Sequence, residues 1–464
     1  MKLPMQSFMT SLLGLVLILG IDCTAESIRS NCNRQNGSDQ TTIFNCAANG
    51  NNPFTAAIRQ KVCSRSCPNP NIQRIPVVYF SDATNFDDTV AIFLLLKAEN
   101  IDLKLIYING NAFANAGPGI RNVYNIVDWF GRTDVQVVVG SFYSLLDERS
   151  GTPPDYTFRS AAPAGDGGLL FADTIWGLAH LLPQSNRHYV AVPTATPETS
   201  DDVLAIAAAR KVIAESPEKV TLLSAGSLTG PFKVLDGAPA EVINNIRQFR
   251  QMGGAVDVPG NLFSVPYNTA AEFNLYFDPQ AAQSVFTILA NAGIPIMLDP
   301  LDATNTVPVT RDFLNRLRAS IQTPEALFVS LLLDRVADTW FDPVNLTNLF
   351  IWDVTSALAL IDPSVIAQRE DNVGIRVIDQ PASITTDVDT AAETVTITTV
   401  LNTRIGKTQR DPNGNPVDVL KAFDANRVYT RVIELINSDA NPVLCPLRQP
   451  IGCYQYINFQ RISR

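Results

Sequence analysis

Histidine is nearly missing: the 464 residues include two, His180 and His188. Eight positions apart, they fit neither the i, i+4 pair of a zinc-binding helix nor a cluster, and no G-x-S-x-G nucleophile turn accompanies them. Both read as structural histidines, which leaves carboxylates to carry any chemistry. Charge is also scarce, at 17% Asp, Glu, Lys and Arg against about 25% in an average soluble chain. The 35 Lys and Arg fall short of the 45 Asp and Glu, giving −10, so a nucleic-acid partner held by phosphate neutralisation is excluded. With 25 Gly and 30 Pro the chain is neither collagen-like nor low in complexity. No cysteine occurs between Cys67 and Cys445, and after residue 21 no apolar run approaches the roughly 18 residues of a membrane span.

What is present begins with an address. Residues 1–25 combine Lys2, the apolar run Ser11 to Ile21, and Cys23-Thr24-Ala25 as a small-residue cleavage site, the form of a secretory signal peptide. Asp22 argues against a lipid anchor on Cys23. Cleavage at Ala25 leaves six cysteines, Cys32, Cys46, Cys63, Cys67, Cys445 and Cys453. In an oxidising compartment these imply three disulfides among 15 pairings, in preference to a zinc site at Cys63 and Cys67. Asn36 and Asn345 lie in N-glycosylation sequons. The expectation is a secreted protein with no membrane contact after signal removal. Its parts are a Cys-rich extension over 26–72, a main domain over 73–440 and a disulfide-bonded tail over 441–464.

From Ile75 the chain alternates β-branched runs (IPVVYF, LKLIYI, VQVVVG, VTLLSAG, IPIMLD) with longer helical stretches (DDTVAIFLLLKAE, GIRNVYNIVDWFG, DDVLAIAAARKVIAES, PQAAQSVFTILANAG). That alternation predicts parallel βαβ units, hence an α/β, Rossmann-like, mostly parallel central sheet flanked by helices, with ligand loops at the carboxyl ends of strands. Residues 373–401 read as further strands, followed by a last strand and helix. No 20–50-residue repeat is present.

The chemistry-bearing segment follows the first strand: Ser81-Asp82-Ala83-Thr84-Asn85-Phe86-Asp87-Asp88, running into a helix expected near Thr89. Adjacent acids at such a turn suit a helix N-terminus and equally a hard cation. The segment resembles the D-x-D-P-G-x-D-D turn of the inosine–uridine-preferring nucleoside hydrolase family. Further fragments resemble that family's motifs in the same order: Gly110-Asn111 its G-N, Gly131 to Gly140 its G-R-x-D segment, and Leu223 to Thr229 its T-G-P-L-T-N turn. Ala271-Glu272-Phe273-Asn274 is similar to A-E-F-N, Asp278-Pro279 with Ala281-Ala282 to D-P-x-A-A, and Trp352-Asp353 to H-D. The likeness runs from about Ile75 to Asn437, and Gly165-Asp166-Gly167-Gly168 looks most like plant-type extracellular members.

The resemblance implies hydrolysis of the N-glycosidic bond of a ribonucleoside at a calcium site. It assigns Asp88 and Asp353 as metal ligands with the Ala225 carbonyl. Asp87, Asn111, Glu272 and Asn274 become ribose contacts, and Asn261 joins them as the upstream G-N. It also implies a homo-oligomer. The departures lie at the chemistry: Ser81 and Ala83 replace the first two acids of the motif, and Trp352 replaces the histidine beside the leaving base. An alanine neither ligates nor accepts a proton. Asp82 is the replacement base available in the turn, but strand alternation points it to the wrong face unless a one-residue bulge re-aims it. Two other readings stand beside the hydrolase: a non-catalytic binder of nucleoside, ribose or calcium, and a cell-surface structural protein on the same scaffold.

Overall fold

The structure is a computed structural model, and it describes residues 72–82, 85–109, 116–132, 134–140, 144–145, 200–262, 268–339, 349–380, 382–389, 394–401 and 403–438. The signal peptide, all the cysteines, both sequons, both histidines, Ala83, Asn111 and the segment 165–168 lie outside the described residues.

Strand β1 (Ile75–Ser81) leads into α1 (Phe86–Lys97), then β2 (Ile101–Ile108), α2 (Ala116–Trp129) and β3 (Gln136–Val139). After α3 (Ser200–Glu215) come β4 (Val220–Ala225), α4 (Thr229–Leu235), β5 (Ile246–Met252), α5 (Phe273–Phe277), α6 (Pro279–Asn291) and β6 (Ile296–Asp299). The chain closes with α7 (Pro324–Thr339), α8 (Trp352–Ile361), β7 (Ile366–Val377), the hairpin β8 (Ala382–Asp389) and β9 (Thr394–Leu401), β10 (Thr408–Arg410), β11 (Asn415–Phe423) and α9 (Ala425–Asn437). The main sheet runs β10-β7-β11-β6-β5-β4-β1-β2-β3. Every neighbour pair from β11 to β3 is parallel, while β7 pairs antiparallel with both β11 and β10. The expected sheet is therefore present, with an antiparallel edge.

Chain order reverses at β1: β2 and β3 lie to one side, β4 to β6 to the other. In open α/β sheets the crevice at such a switch point is where ligands bind. Two apolar layers flank the sheet. One packs α1, α2, α7, α8 and α9 against Val77, Tyr79, Ile106 and Ile108; the other packs α3, α4 and α6 against Val78, Phe80, Leu105 and Tyr107. Helix α1 is buried along its whole length, as its apolar sequence requires. Its terminal Lys97 is tolerated there because Nζ donates to the Ile436 carbonyl (2.9 Å) and lies 3.6 Å from Glu325.

Helix α1 begins three residues earlier than the sequence reading, at Phe86, because Asn85 caps it: the Asn85 side chain accepts from the Phe86 N–H. Asp87 and Asp88 thus sit inside the first turn rather than before it. Other motif residues prove to be structural. Arg132 of the G-R-x-D segment is buried, bonds Asp134 and donates to the Leu103 carbonyl. Asp278 caps α6 through Ala281 N–H and also accepts from Thr229 Oγ1 (2.6 Å) and Leu145 N–H (3.0 Å).

Candidate active site

At the carboxyl end of β1 the side chains of Asp82, Asp88 and Asp353 converge, each offering a carboxylate oxygen within 4.8 Å of the others, and all three are buried. Asp82 corrects the sequence reading, which turned it to the wrong face. Strand β1 does alternate through Ser81: Val77 and Tyr79 face one layer, Val78 and Phe80 the other. The irregularity in the pairing lies in β2, where Val77 pairs Leu103 and Val78 pairs Leu105, so no bulge re-aims β1. The strand simply ends at Ser81, and the next residue is released from the alternation.

Asp88 comes from the first turn of α1 and Asp353 from the first turn of α8, so two helix N-termini aim positive dipole ends at the cluster. Ser81, which stands where the motif has an acid, is not idle: its hydroxyl donates to Asp88 Oδ1 at 2.5 Å. Asp87 joins the helices, its Oδ2 accepting from the Asp353 N–H (3.4 Å). Among the described residues, Asp87 Oδ1 and Asp88 Oδ2 are buried with no hydrogen-bond partner. Burial, then the negative charge of Asp82, pushes the Asp87 carboxyl up to about 7. Asp88 is held well above the carboxylate range by burial, then by Asp82 and Asp353. Asp353 is held there by burial, then by Asp87 and Asp82. Converging buried carboxylates with orphan oxygens are the donor set of a hard dication such as calcium, whose charge would favour the ionised forms.

A second set stands at the end of β5. Glu272 is buried and caps α5: Oε1 accepts from Asn274 N–H (2.8 Å), and Oε2 from Gly254 N–H (2.8 Å) and Leu275 N–H (3.2 Å). Gly254 presents that N–H from a backbone at φ +87°, a region open to glycine. Burial raises Glu272 to about 7 against the lowering of those three bonds, and the Asp82 charge adds to the rise. Asn274 is buried with Nδ2 on the Met252 carbonyl (3.2 Å), and Asn261 Oδ1 accepts from Phe273 N–H (3.0 Å). Glu272, Asn274 and Asn261 are therefore one connected unit. Ala225 ends β4 in register with Ser81, beside the acids. Trp352 differs from the rest: its indole N–H donates outward to Asn305 Oδ1 (2.9 Å), and its ring packs on Phe350 with centroids 5.6 Å apart.

Two features escaped the sequence reading. Arg250 Nη1 donates to both oxygens of buried Asp299 (3.0 Å each), bracing β5 against β6 just below the Met252-Gly253-Gly254 turn. An arginine within a buried strand was the available signal. Asn109, one residue past β2, is buried beside the Ser81–Asp82 backbone and carried no motif signal.

Fold and site together define a doubly layered α/β protein with a buried acidic pocket at the topological switch point of its sheet. The chain belongs to the inosine-uridine preferring nucleoside hydrolase family, whose profile matches residues 77–430. It is 34% identical over 277 residues to nucleoside hydrolase 4 of Arabidopsis thaliana, covering 56% of this chain and 49% of that one. It is 29% identical over 308 residues to a pyrimidine-specific ribonucleoside hydrolase of Citrobacter koseri, covering 65% of this chain and 84% of that one. The chain thus spans about half the length of the first plant relative, and 31% of a second, nucleoside hydrolase 3 of the same plant. The crystal structure of an inosine-uridine preferring nucleoside hydrolase from Bacillus anthracis shares the fold, with a TM-score of 0.55 at 22% identity, covering 78% of this chain and 99% of that one.

Proposed function

We propose that this protein is a secreted, calcium-dependent nucleoside hydrolase that cleaves the N-glycosidic bond of a ribonucleoside to free base and ribose, with Asp82 as the water-activating carboxylate. The observation that carries this reading is the convergence of Asp82 with Asp88 and Asp353 at the switch point. It supplies a carboxylate from the same turn in which Ala83 removes the acid of the family motif. Secretion and the family's habit of forming homo-oligomers rest on the sequence and the resemblance.

Asp82, Asp88 and Asp353, with the Ala225 carbonyl, would hold the dication. When bound, it lowers the pKa of a nearby water and anchors ribose hydroxyls. Asp82 accepts the proton that the water loses as its oxygen forms a bond to C1′ and the C1′–N bond breaks. Cleavage passes through an oxocarbenium-like state, and the proton taken by Asp82 balances the one the departing base requires. Asp87 and the Glu272, Asn274 and Asn261 unit orient the ribose, together with Asn111. Glu272 spends both oxygens on backbone N–H groups, so it presents a fixed edge rather than a swinging acid. Trp352 supplies a ring near the leaving base and no proton.

The test is chromatographic detection of free base after the mature, disulfide-intact protein is incubated with calcium and a panel of purine and pyrimidine ribonucleosides, beside an Asp88→Ala blank. Release that disappears in the blank supports hydrolysis. Ala83 favours a second reading, a non-catalytic binder of nucleoside, ribose or calcium. That reading is supported if no base is released while calcium still raises the melting temperature.

A further inference from the structure

We infer that Asn109 is a positioning residue for Asp82, holding its carboxylate on the Asp88 and Asp353 side; the inference rests on the proposed dication site. The Asn109 N–H donates to the Ser81 carbonyl (2.9 Å), continuing the β1–β2 ladder by one residue and setting Asn109 alongside Asp82. Asn109 is 1% exposed, and neither Nδ2 nor Oδ1 has a hydrogen-bond partner among the described residues. A buried amide left in that way costs stability, so its presence calls for an offsetting role.

The reason lies in the space the amide fills. A Cβ on Gly226 would come 3.0 Å from Asn109 Nδ2, and one on Gly230 2.3 Å from Oδ1. The same Cβ position on Gly226 lies 3.2 Å from the Asp82 backbone nitrogen and 3.4 Å from the Ser81 carbonyl carbon. The amide and the Ser81–Asp82 peptide therefore border one small volume, closed by Gly226 of the turn after β4 and Gly230 in the first turn of α4. Phe80 and Tyr107 face the α4 and α6 layer. One further step of alternation would carry the Asp82 carboxylate into that same layer, where the Asn109 amide already lies.

Asp88 and Asp353 are fixed in helices, whereas Asp82 stands past the end of its strand, so of the three carboxylates its direction depends most on what packs around it. With its exit filled, Asp82 stays in place before the dication arrives, which raises affinity by preorganisation. In this chain the acid sits one position from its place in the family motif, so the restraint answers a problem particular to this sequence.

Calcium titration by calorimetry on the mature protein tests this with Asn109→Ala, which opens the space, and Asn109→Leu, which refills it without polarity. Asn109→Ala is expected to raise the Kd at least about tenfold and Asn109→Leu by no more than about threefold. In an Asp82→Ala background, Asn109→Ala should add less than about twofold, because it acts through Asp82. Should Asn109→Ala not fold, Asn109→Ser is read in its place. An unchanged Kd in the truncated variant overturns the inference, as does the same loss with and without Asp82. Failure of the parent protein to bind calcium is a separate outcome, which overturns the dication site and the inference with it.

Discussion

Replacing Asp82 by Asn should make the metal-free protein more stable and the active protein nearly inert. The side chain keeps its shape and one oxygen but loses its charge, in a cluster where acids lie within 4.8 Å of one another. At that separation and an effective dielectric of about 20, one like-charge pair costs about 3.5 kcal/mol. Two pairs, with Asp88 and with Asp353, are relieved. Both neighbours are held above the usual carboxylate range, so the metal-free cluster carries only part of its charge at neutral pH. The net gain is therefore smaller, about 1–3 kcal/mol. Conversely, calcium at about 100 times its Kd stabilises the parent by about 2.7 kcal/mol, and the variant should lose most of that increment. Loss of a positioned general base lowers the rate by about 10² to 10⁴. Thermal unfolding with and without calcium, alongside base release, reads all three effects. A variant that is less stable without calcium and keeps the full calcium increment would show Asp82 to be a structural acid outside the site.

Three further outcomes follow from the geometry. Asp87 and Glu272 are raised in the folded state, each to about 7. Raised acids stabilise at low pH and lose that contribution as pH rises, so metal-free stability should fall between about pH 4 and pH 7. Calcium should flatten the fall, and chemical denaturation across that range checks both. Glu272→Gln leaves one acceptor oxygen for three backbone N–H groups and points an NH₂ at donors; it should cost about 1–3 kcal/mol by urea unfolding and raise KM for any nucleoside turned over. Arg250→Ala strands buried Asp299 without its cation and should destabilise by about 3–5 kcal/mol, whereas an Arg250→Met, Asp299→Leu double variant should recover much of that.

The sequence by itself determined the architecture and the order of the site. Alternating apolar runs of strand and helix length fix parallel βαβ units, because each element has a single way to bury its face. Asp87, Asp88, Glu272, Asn274 and Asp353 were legible because their neighbours form ordered motifs at strand ends. The start of α1 was misplaced because the cap is a side-chain bond from Asn85, which competes silently with the acids that follow it. Only the tertiary structure decided where Asp82 points. Periodicity governs a side chain while its strand lasts, and β1 stops one residue short of Asp82. From there the direction is set by what fills the space on either side: Asn109 with two glycines on one face, and two helix N-termini on the other. Those groups come from four separate segments, and no spacing along the chain records that they meet.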